Sequence, residues 1–371
     1  MTQTTDHRFL LHAQRMASRG LGRTWPNPSV GCVLVKNGVV IAVAHTADGG
    51  RPHAETQTLA LAGDAARGAT AYVTLEPCAH HGHTPPCAQA LIDAGVTRVV
   101  FGYEDPDLRV NGRGAAMLKA AGVETTPPTT HHSPLTSLYR GFFRRVRHGL
   151  PEVSLKIATS RDNHIADPAG VHRWLTGEQA RAHGHMLRAT HDAVVTGIGT
   201  VLADDPLYTV RLLGITRPNL IRVVVDRNLQ LPLHCQLVRT AEQHPLWLLT
   251  TAEAVEHNAS HATELRERGV VLQVVETLAD PRAILTLLAA QGLNRVLVEA
   301  GAALTAAFMG ARCVDTLHWY RAPMRFGNTG QAAPIALDTA LQAVQPLGLV
   351  HHQPLGSDMY ERYELKSCLP D

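Results

Sequence analysis

Twice along its 371 residues the chain alternates short apolar runs of strand length with longer segments of helical period, and the alternation lapses once, between residues 125 and 150. Such alternation constrains the fold strongly, because a buried strand followed by a helix is satisfied only when the helix packs back over a sheet. In the first half, strands are expected at 30–35 and 39–43, on either side of the turn Lys36-Asn37-Gly38, and again at 71–75 and 98–101. Helices are expected at 54–61, 88–94 and 115–121, the last stopped by Gly122. This half reads as a three-layer α/β sandwich. In the second half, strands are expected at 153–158, 193–196, 220–225, 246–249, 270–275, 295–298 and 316–320, and helices at 177–188, 262–268, 281–290 and 302–308. A closing strand at 360–365 reads as an antiparallel edge. Between the halves, Thr-Thr-Pro-Pro-Thr-Thr-His-His-Ser-Pro and an arginine cluster at 140–148 read as a linker, which divides the chain into domains 1–149 and 150–371. A chain of this length also exceeds what one hydrophobic core usually serves.

Composition narrows the function classes. Hydrophobic residues at 45% and charged residues at 18% describe an ordinary globular protein and argue against a disordered or fibrous one. Lys+Arg 34 against Asp+Glu 32 gives a net charge of +2, without the basic excess that grips long nucleic acid. No apolar run approaches the ~20 residues of a membrane span, and residues 1–20 carry no signal-peptide core, so a cytoplasmic address is expected. Six cysteines, Cys32, Cys78, Cys87, Cys235, Cys313 and Cys368, are too few for a disulfide scaffold and read as metal ligands or packed thiols.

The densest chemistry lies in residues 53–87. His53-Ala54-Glu55 opens a predicted helix, Pro77-Cys78 follows a predicted strand, and Cys87 begins the next helix. One imidazole and two thiolates hold zinc while leaving a fourth position open, as a catalytic site requires. Glu55 is not needed as a ligand and is free to move a proton, the arrangement of zinc deaminases. A structural four-ligand site using His80, His81 or His83, or a simple pair of packed thiols, are the competing readings. Eight residues separate the two cysteines where plain nucleobase deaminases have two, which points away from a nucleoside or tRNA-base substrate.

The run Thr74-Leu75-Glu76-Pro77-Cys78-Ala79-His80-His81-Gly82-His83-Thr84-Pro85-Pro86-Cys87 resembles the deaminase motif of the bifunctional riboflavin biosynthesis deaminase–reductase family. So do Pro26-Asn27-Pro28-Ser29-Val30-Gly31-Cys32 and Asp105-Pro106 with Gly112-Arg113-Gly114. The resemblance implies a cytidine-deaminase-like N-terminal domain acting on a diaminohydroxyphosphoribosylaminopyrimidine, with Asn27, His45 and His80 at the substrate. His83 stands where the family often has Lys or Arg. Cys32 reads as core.

The second half lacks a G-x-G-x-x-G fingerprint. Two glycine-bearing strand ends, 194–200 and 298–304, stand in its place, and either could be a purely structural turn. Here Leu155-Lys156-Ile157-Ala158, Trp174, Arg188-Ala189, Asp192-Ala193, Gly199 through Pro206, Arg211 and Glu299-Ala300-Gly301 resemble the reductase domain of the same family. That implies a dihydrofolate-reductase-like fold and NADPH-dependent reduction of a ribosylamino to a ribitylamino group. Ala158, Trp174, Thr200, Asp204 and the segment Gly301-Ala302-Ala303-Leu304 are then expected at the cofactor. Lys156, His172, Arg188, Tyr208, Arg211 and Glu299 are expected at the substrate. Two departures stand out: Ser160-Arg161-Asp162-Asn163 where the family commonly has Ser-Leu-Asp-Gly, and His172 where it often has Ser. The expected partners are a small pyrimidine nucleotide and further copies of the chain in a homo-oligomer, with no nucleic acid and no membrane; the expected cofactors are zinc and NADPH.

Overall fold

The computed structural model of the protein describes residues 3–80, 85–126, 133–166, 174–215, 220–327, 331–332 and 346–365. The chain divides into two compact units, Met1–His148 and Gly149–Asp371. Among the described residues no helix is long and apolar enough to cross a membrane.

The first unit runs α1 (Gln3–Ser18), β1 (Gly31–Lys36), β2 (Val39–His45), α2 (Ala54–Ala62), β3 (Thr70–Val73), α3 (Cys87–Asp93), β4 (Arg98–Phe101), α4 (Arg113–Ala120), β5 (Glu124–Thr126) and α5 (Ser133–His148). Its sheet has the order β2-β1-β3-β4-β5, antiparallel across β2, β1 and β3 and parallel from β3 to β5. The side-chain period of two divides β1 between layers. Val33 and Val35 pack with Phe9, Leu10 and Ala13 of α1, whereas Cys32 and Leu34 join Ala54, Leu91, Leu118 and the α5 aromatics on the other face. Gly31 is required by the first layer: a Cβ there would lie 1.9 Å from the Ala13 carbonyl oxygen.

The linker reading of 125–150 is overturned. Residues 124–126 add an edge strand, and α5 belongs to the first unit's core through Leu138, Tyr139, Phe142 and Phe143. Those four positions form two pairs four residues apart, 138/142 and 139/143, the stripe of an amphipathic helix. The interleaved arginines disguise it: Arg145 and Arg147 lie over the rings of Phe142 and Phe143, and Arg144 is itself buried.

The second unit runs β6 (Glu152–Thr159), β7 (His164–Ala166), α6 (Glu178–Ala189), β8 (Ala193–Gly197), α7 (Ile198–Asp204), β9 (Ile221–Val225), α8 (Gln236–Arg239), β10 (Leu246–Thr250), α9 (Ala252–His257), α10 (Ala259–Glu267), β11 (Val270–Val274), α11 (Pro281–Ala290), β12 (Arg295–Val298), α12 (Ala302–Gly310), β13 (Thr316–Arg321), β14 (Gln331–Ala332), β15 (Pro346–Leu355) and β16 (Asp358–Leu365). Its main sheet has nine strands in the order β11-β10-β9-β8-β12-β6-β13-β16-β15. Every pair from β11 to β13 is parallel, and β16 and β15 are antiparallel. The closing strand is therefore antiparallel as expected but interior, because β15 covers it through the turn at Gly356. Strand β12, late in the chain, inserts between β6 and β8. That insertion brings the two glycine-bearing strand ends side by side.

Candidate active sites

In the first unit His53 is the N-cap of α2, Glu55 lies in its first turn, and Cys87 is the first residue of α3. His53 Nδ1 lies 3.2 Å from Cys87 Sγ and 3.8 Å from Cys78 Sγ, and all three ligand atoms fall within 4.8 Å of one another. These separations bracket the roughly 3.5 Å N–S edge of a tetrahedron with Zn–N and Zn–S bonds of about 2.0 and 2.3 Å. The donor set and its spacing fit zinc with one position left open. Among the described residues the group has three members; His80 is outside it, and His81 and His83 lie outside the described residues.

The electrostatics suit thiolate ligation. The hydrogen bond with Cys87 and those from His53 and the Cys87 backbone N–H hold the Cys78 thiol down to about 4 against its burial. The Cys87 thiol is pushed up by its hydrogen bond with Cys78 and by burial. Glu55 is 3% exposed, and burial pushes its carboxyl up to about 7. A carboxyl in that range both takes and gives a proton near neutrality.

Contacts behind the three donors fix the Cys78 loop, and local spacing gives no hint of them. Buried Glu76 accepts from the backbone N–H groups of Gly112 at 2.9 Å and Ala115 at 3.0 Å, so one carboxylate ties the metal loop to the start of α4. Gly112 has φ +74°, and a Cβ at Gly114 would lie 2.0 Å from the Pro77 carbonyl oxygen. The Gly112-Arg113-Gly114 motif is thus explained by a turn and a close approach. Asn27 Nδ2 donates to the Gly50 carbonyl at 2.9 Å, on the loop that leads into His53. His45 closes β2 with Nδ1 2.8 Å from the Thr46 carbonyl oxygen, and its own carbonyl accepts from Gln57 Nε2 at 2.6 Å. His80 keeps a buried Nδ1 that has no hydrogen-bond partner among the described residues. Cys32 is fully buried in the sheet.

In the second unit the expected substrate residues converge from β6, α6 and the end of β12. Arg188 Nε and Nη2 donate to Glu299 Oε1 and Oε2 at 2.6 and 2.8 Å, a bidentate pair, and Lys156 Nζ lies 3.8 Å from Glu299 Oε2. Burial works to raise the Glu299 pKa, but Arg188 and Lys156 outweigh it and hold the carboxyl below its usual range. Burial lowers the Lys156 pKa. Tyr208, at φ +50°, is a bulky residue in left-handed backbone. Its hydroxyl donates to the Glu299 carbonyl at 3.0 Å, and the Arg188 guanidinium lies 5.2 Å from its ring centroid. Arg211 is exposed, with Nη1 donating to Thr209 Oγ1 at 3.2 Å.

The cofactor residues divide. Thr200 Oγ1 accepts from Gly301 N–H at 2.9 Å, joining the two glycine turns. Ala302, Ala303 and Leu304 form the first turn of α12, where amides have no intrahelical acceptor. Ala158 lies on the same face of β6 as Lys156, and Asp204 closes α7 at the surface. Trp174 is 59% exposed, with the Arg181 guanidinium 5.6 Å from its ring. His172 lies outside the described residues. The departure at 160–163 is accommodated: Asn163 takes φ +63° where glycine would be easiest, and Asp162 still accepts from Ser160 Oγ at 2.6 Å and Gly327 N–H at 2.8 Å.

Comparison with known proteins agrees with both halves. Residues 3–103 match the cytidine and deoxycytidylate deaminase zinc-binding region, and residues 151–360 match the RibD C-terminal domain. The riboflavin biosynthesis protein RibD of Escherichia coli is 38% identical over 335 residues, covering 87% of this chain and 89% of that protein. RibD of Bacillus amyloliquefaciens is 37% identical over 323 residues, covering 86% and 85%. The structure of Acinetobacter baumannii RibD superposes with TM-score 0.86 at 36% identity, covering 98% of this chain and 99% of that one. A diaminohydroxyphosphoribosylaminopyrimidine deaminase/5-amino-6-(5-phosphoribosylamino)uracil reductase from Thermotoga maritima gives 0.84 at 30% identity over the same shares. With a three-donor metal group in one unit, a Lys–Glu–Arg cluster in the other and matches along nearly its whole length, the chain belongs to the RibD family of bifunctional deaminase–reductases of riboflavin biosynthesis.

Proposed function

We propose that residues 1–149 hydrolyse a ring amine of diaminohydroxyphosphoribosylaminopyrimidine, and that residues 150–371 reduce the resulting 5-amino-6-(5-phosphoribosylamino)uracil with NADPH to the ribitylamino product. The observation that carries the reading is the His53–Cys78–Cys87 group with buried Glu55 in the same helical turn as His53. Zinc, when bound, supplies Lewis acidity that makes water nucleophilic near neutral pH. Glu55 accepts one proton of the attacking water and delivers it to the ring nitrogen, then takes the second from the new hydroxyl and passes it to the departing amine, so that a C–N bond is exchanged for a C–O bond and ammonia leaves. Asn27, His45 and His80 orient the pyrimidine.

In the reductase unit the dihydronicotinamide supplies hydride, and the protein aligns it with the sugar carbon. Glu299, kept ionised by Arg188, and Lys156 hold the opened sugar. Arg188 has two nitrogens on Glu299, so it acts mainly as a positioning residue, and the exposed fork of Arg211 is the better phosphate ligand. Thr200, Asp204, Ala158, Trp174 and the first turn of α12 line the cofactor side. A cytoplasmic location and a homo-oligomer complete the reading; light scattering of the purified chain tests the latter.

The decisive experiment supplies the diaminopyrimidine nucleotide with and without NADPH and follows ammonia release and cofactor oxidation separately. Ammonia should appear without NADPH, and oxidation only once deamination has occurred. Oxidation with no preceding ammonia would reverse the order, and no ammonia at all would end the deaminase assignment.

A further inference from the structure

Reduction of the sugar needs a proton as well as a hydride, and the Lys–Glu–Arg cluster has no evident way to replace one. Glu299 is held ionised by Arg188 and cannot donate. Lys156 can, since burial makes its proton easier to lose; its side chain is 25% exposed in the free chain, and once substrate and cofactor fill the site the way back for a proton is from beneath α6.

A line of imidazole and phenol groups runs there. His183 on α6 has Nδ1 2.7 Å from the Tyr320 hydroxyl. Tyr320, 1% exposed, pairs across the sheet with Ala158, and Lys156 Nζ lies 5.7 Å from its ring centroid. Tyr360 packs 5.2 Å from Tyr320 and 4.4 Å from the His183 ring, and its hydroxyl is fixed 2.8 Å from His318 Nδ1. His318 is in turn the register neighbour of Lys156 across β13 and β6. Tyr320, Tyr360 and His318 are buried, whereas His183 is only half-buried, so among these four it is the one that meets water.

We propose that His183 and Tyr320 form the route by which Lys156 is reprotonated during reduction, His183 collecting the proton from solvent and the Tyr320 hydroxyl passing it inward through one bridging water. The proposal rests on the reductase reading. The C–H bond of the dihydronicotinamide breaks and its electron pair forms the new C–H bond at the sugar carbon. The C=N π pair becomes an N–H bond with the proton of Lys156. Lys156 regains a proton through Tyr320 from His183, which takes one from water. The pair Tyr360–His318 fixes the geometry and is not itself on the path.

The groups facing His183 are Tyr320 from β13, Tyr360 from β16 and His351 from β15; burial and the charge of His351 both keep its pKa below the ordinary value. Its imidazolium is therefore a minority form at neutral pH, and the route should favour acid: turnover falls as pH rises above the His183 pKa. A purely structural His–Tyr pair predicts no such dependence.

The test uses the full chain with the deaminated intermediate and NADPH, and an unshifted calorimetric transition of the second unit, to which both residues belong, reports that each variant is folded. His183→Gln should lower reductase kcat about tenfold with KM within about twofold, and should flatten the acid-favouring limb of the pH profile. Tyr320→Phe, which removes one oxygen, should do the same, and the double variant should be no worse than either single one. Added imidazole should restore several-fold activity to His183→Ala. The proposal is overturned if His183→Gln keeps its kcat and pH profile, if the two losses multiply, or if imidazole rescues nothing. An unmodified chain that oxidises no NADPH on this substrate would remove the reductase reading itself, and this route with it.

Discussion

Glu55 shows what one buried side chain can be asked to do. At 3% exposure, with burial pushing its pKa up to about 7, it can cycle between acid and base without leaving its place in the first turn of α2. Glu55→Gln keeps the shape and removes the proton transfer. Deamination should fall by roughly 10²–10⁴-fold, while elemental analysis still finds zinc and NADPH oxidation on the deaminated intermediate is unchanged; normal ammonia release from this variant would end its proposed role. At the same scale some residues were legible and some were not. His53, Glu55, Cys78 and Cys87 can be read in sequence because metal ligation accepts few residue types at fixed helix and strand ends. Glu76, Tyr320 and His183 could not, since each side chain acquires its partners from segments 29 or more positions away.

At the scale of elements, α5 is the instructive failure. Its aromatic stripe was hidden among arginines that themselves pack on the aromatic rings, so composition suggested a linker where the fold has a core helix. Phe143→Ala should cost about 3–5 kcal/mol, measured by denaturant unfolding of the first unit; a change near zero would restore the linker reading. Helix α1 is anchored differently. Asp6 accepts from Arg98 at 2.9 and 2.8 Å and from the Tyr72 hydroxyl at 2.7 Å. Burial works to raise its pKa, but these bonds overcome it, and the native value lies below the ordinary carboxylate one. A depressed native pKa contributes stability that is fully present above the unfolded value of about 3.9 and is lost as pH falls through the native value. Asp6→Asn should therefore flatten the stability–pH curve of the first unit below about pH 4 and leave the second unit's curve unchanged.

For the molecule as a whole, the two units predict separable behaviour. A chelator should abolish ammonia release and lower one calorimetric transition, since metal bound to the native site stabilises only the unit that holds it. NADPH oxidation on the deaminated intermediate and the other transition should persist; loss of both activities together would mean that the units do not act separately. What the sequence determined by itself was the alternation that makes both halves α/β, most of the strands though not β5, β7, β14 or β15, and the metal group, because periodicity and ligand chemistry are local properties. The tertiary structure decided the rest. Strand β12, last of the parallel strands but one in the chain, lies between β6 and β8, and so brings Glu299 beside Lys156 and under Arg188, 111 positions away. No local rule reveals that insertion, because strand order is set by which buried faces and backbone hydrogen bonds are satisfied together across the whole sheet.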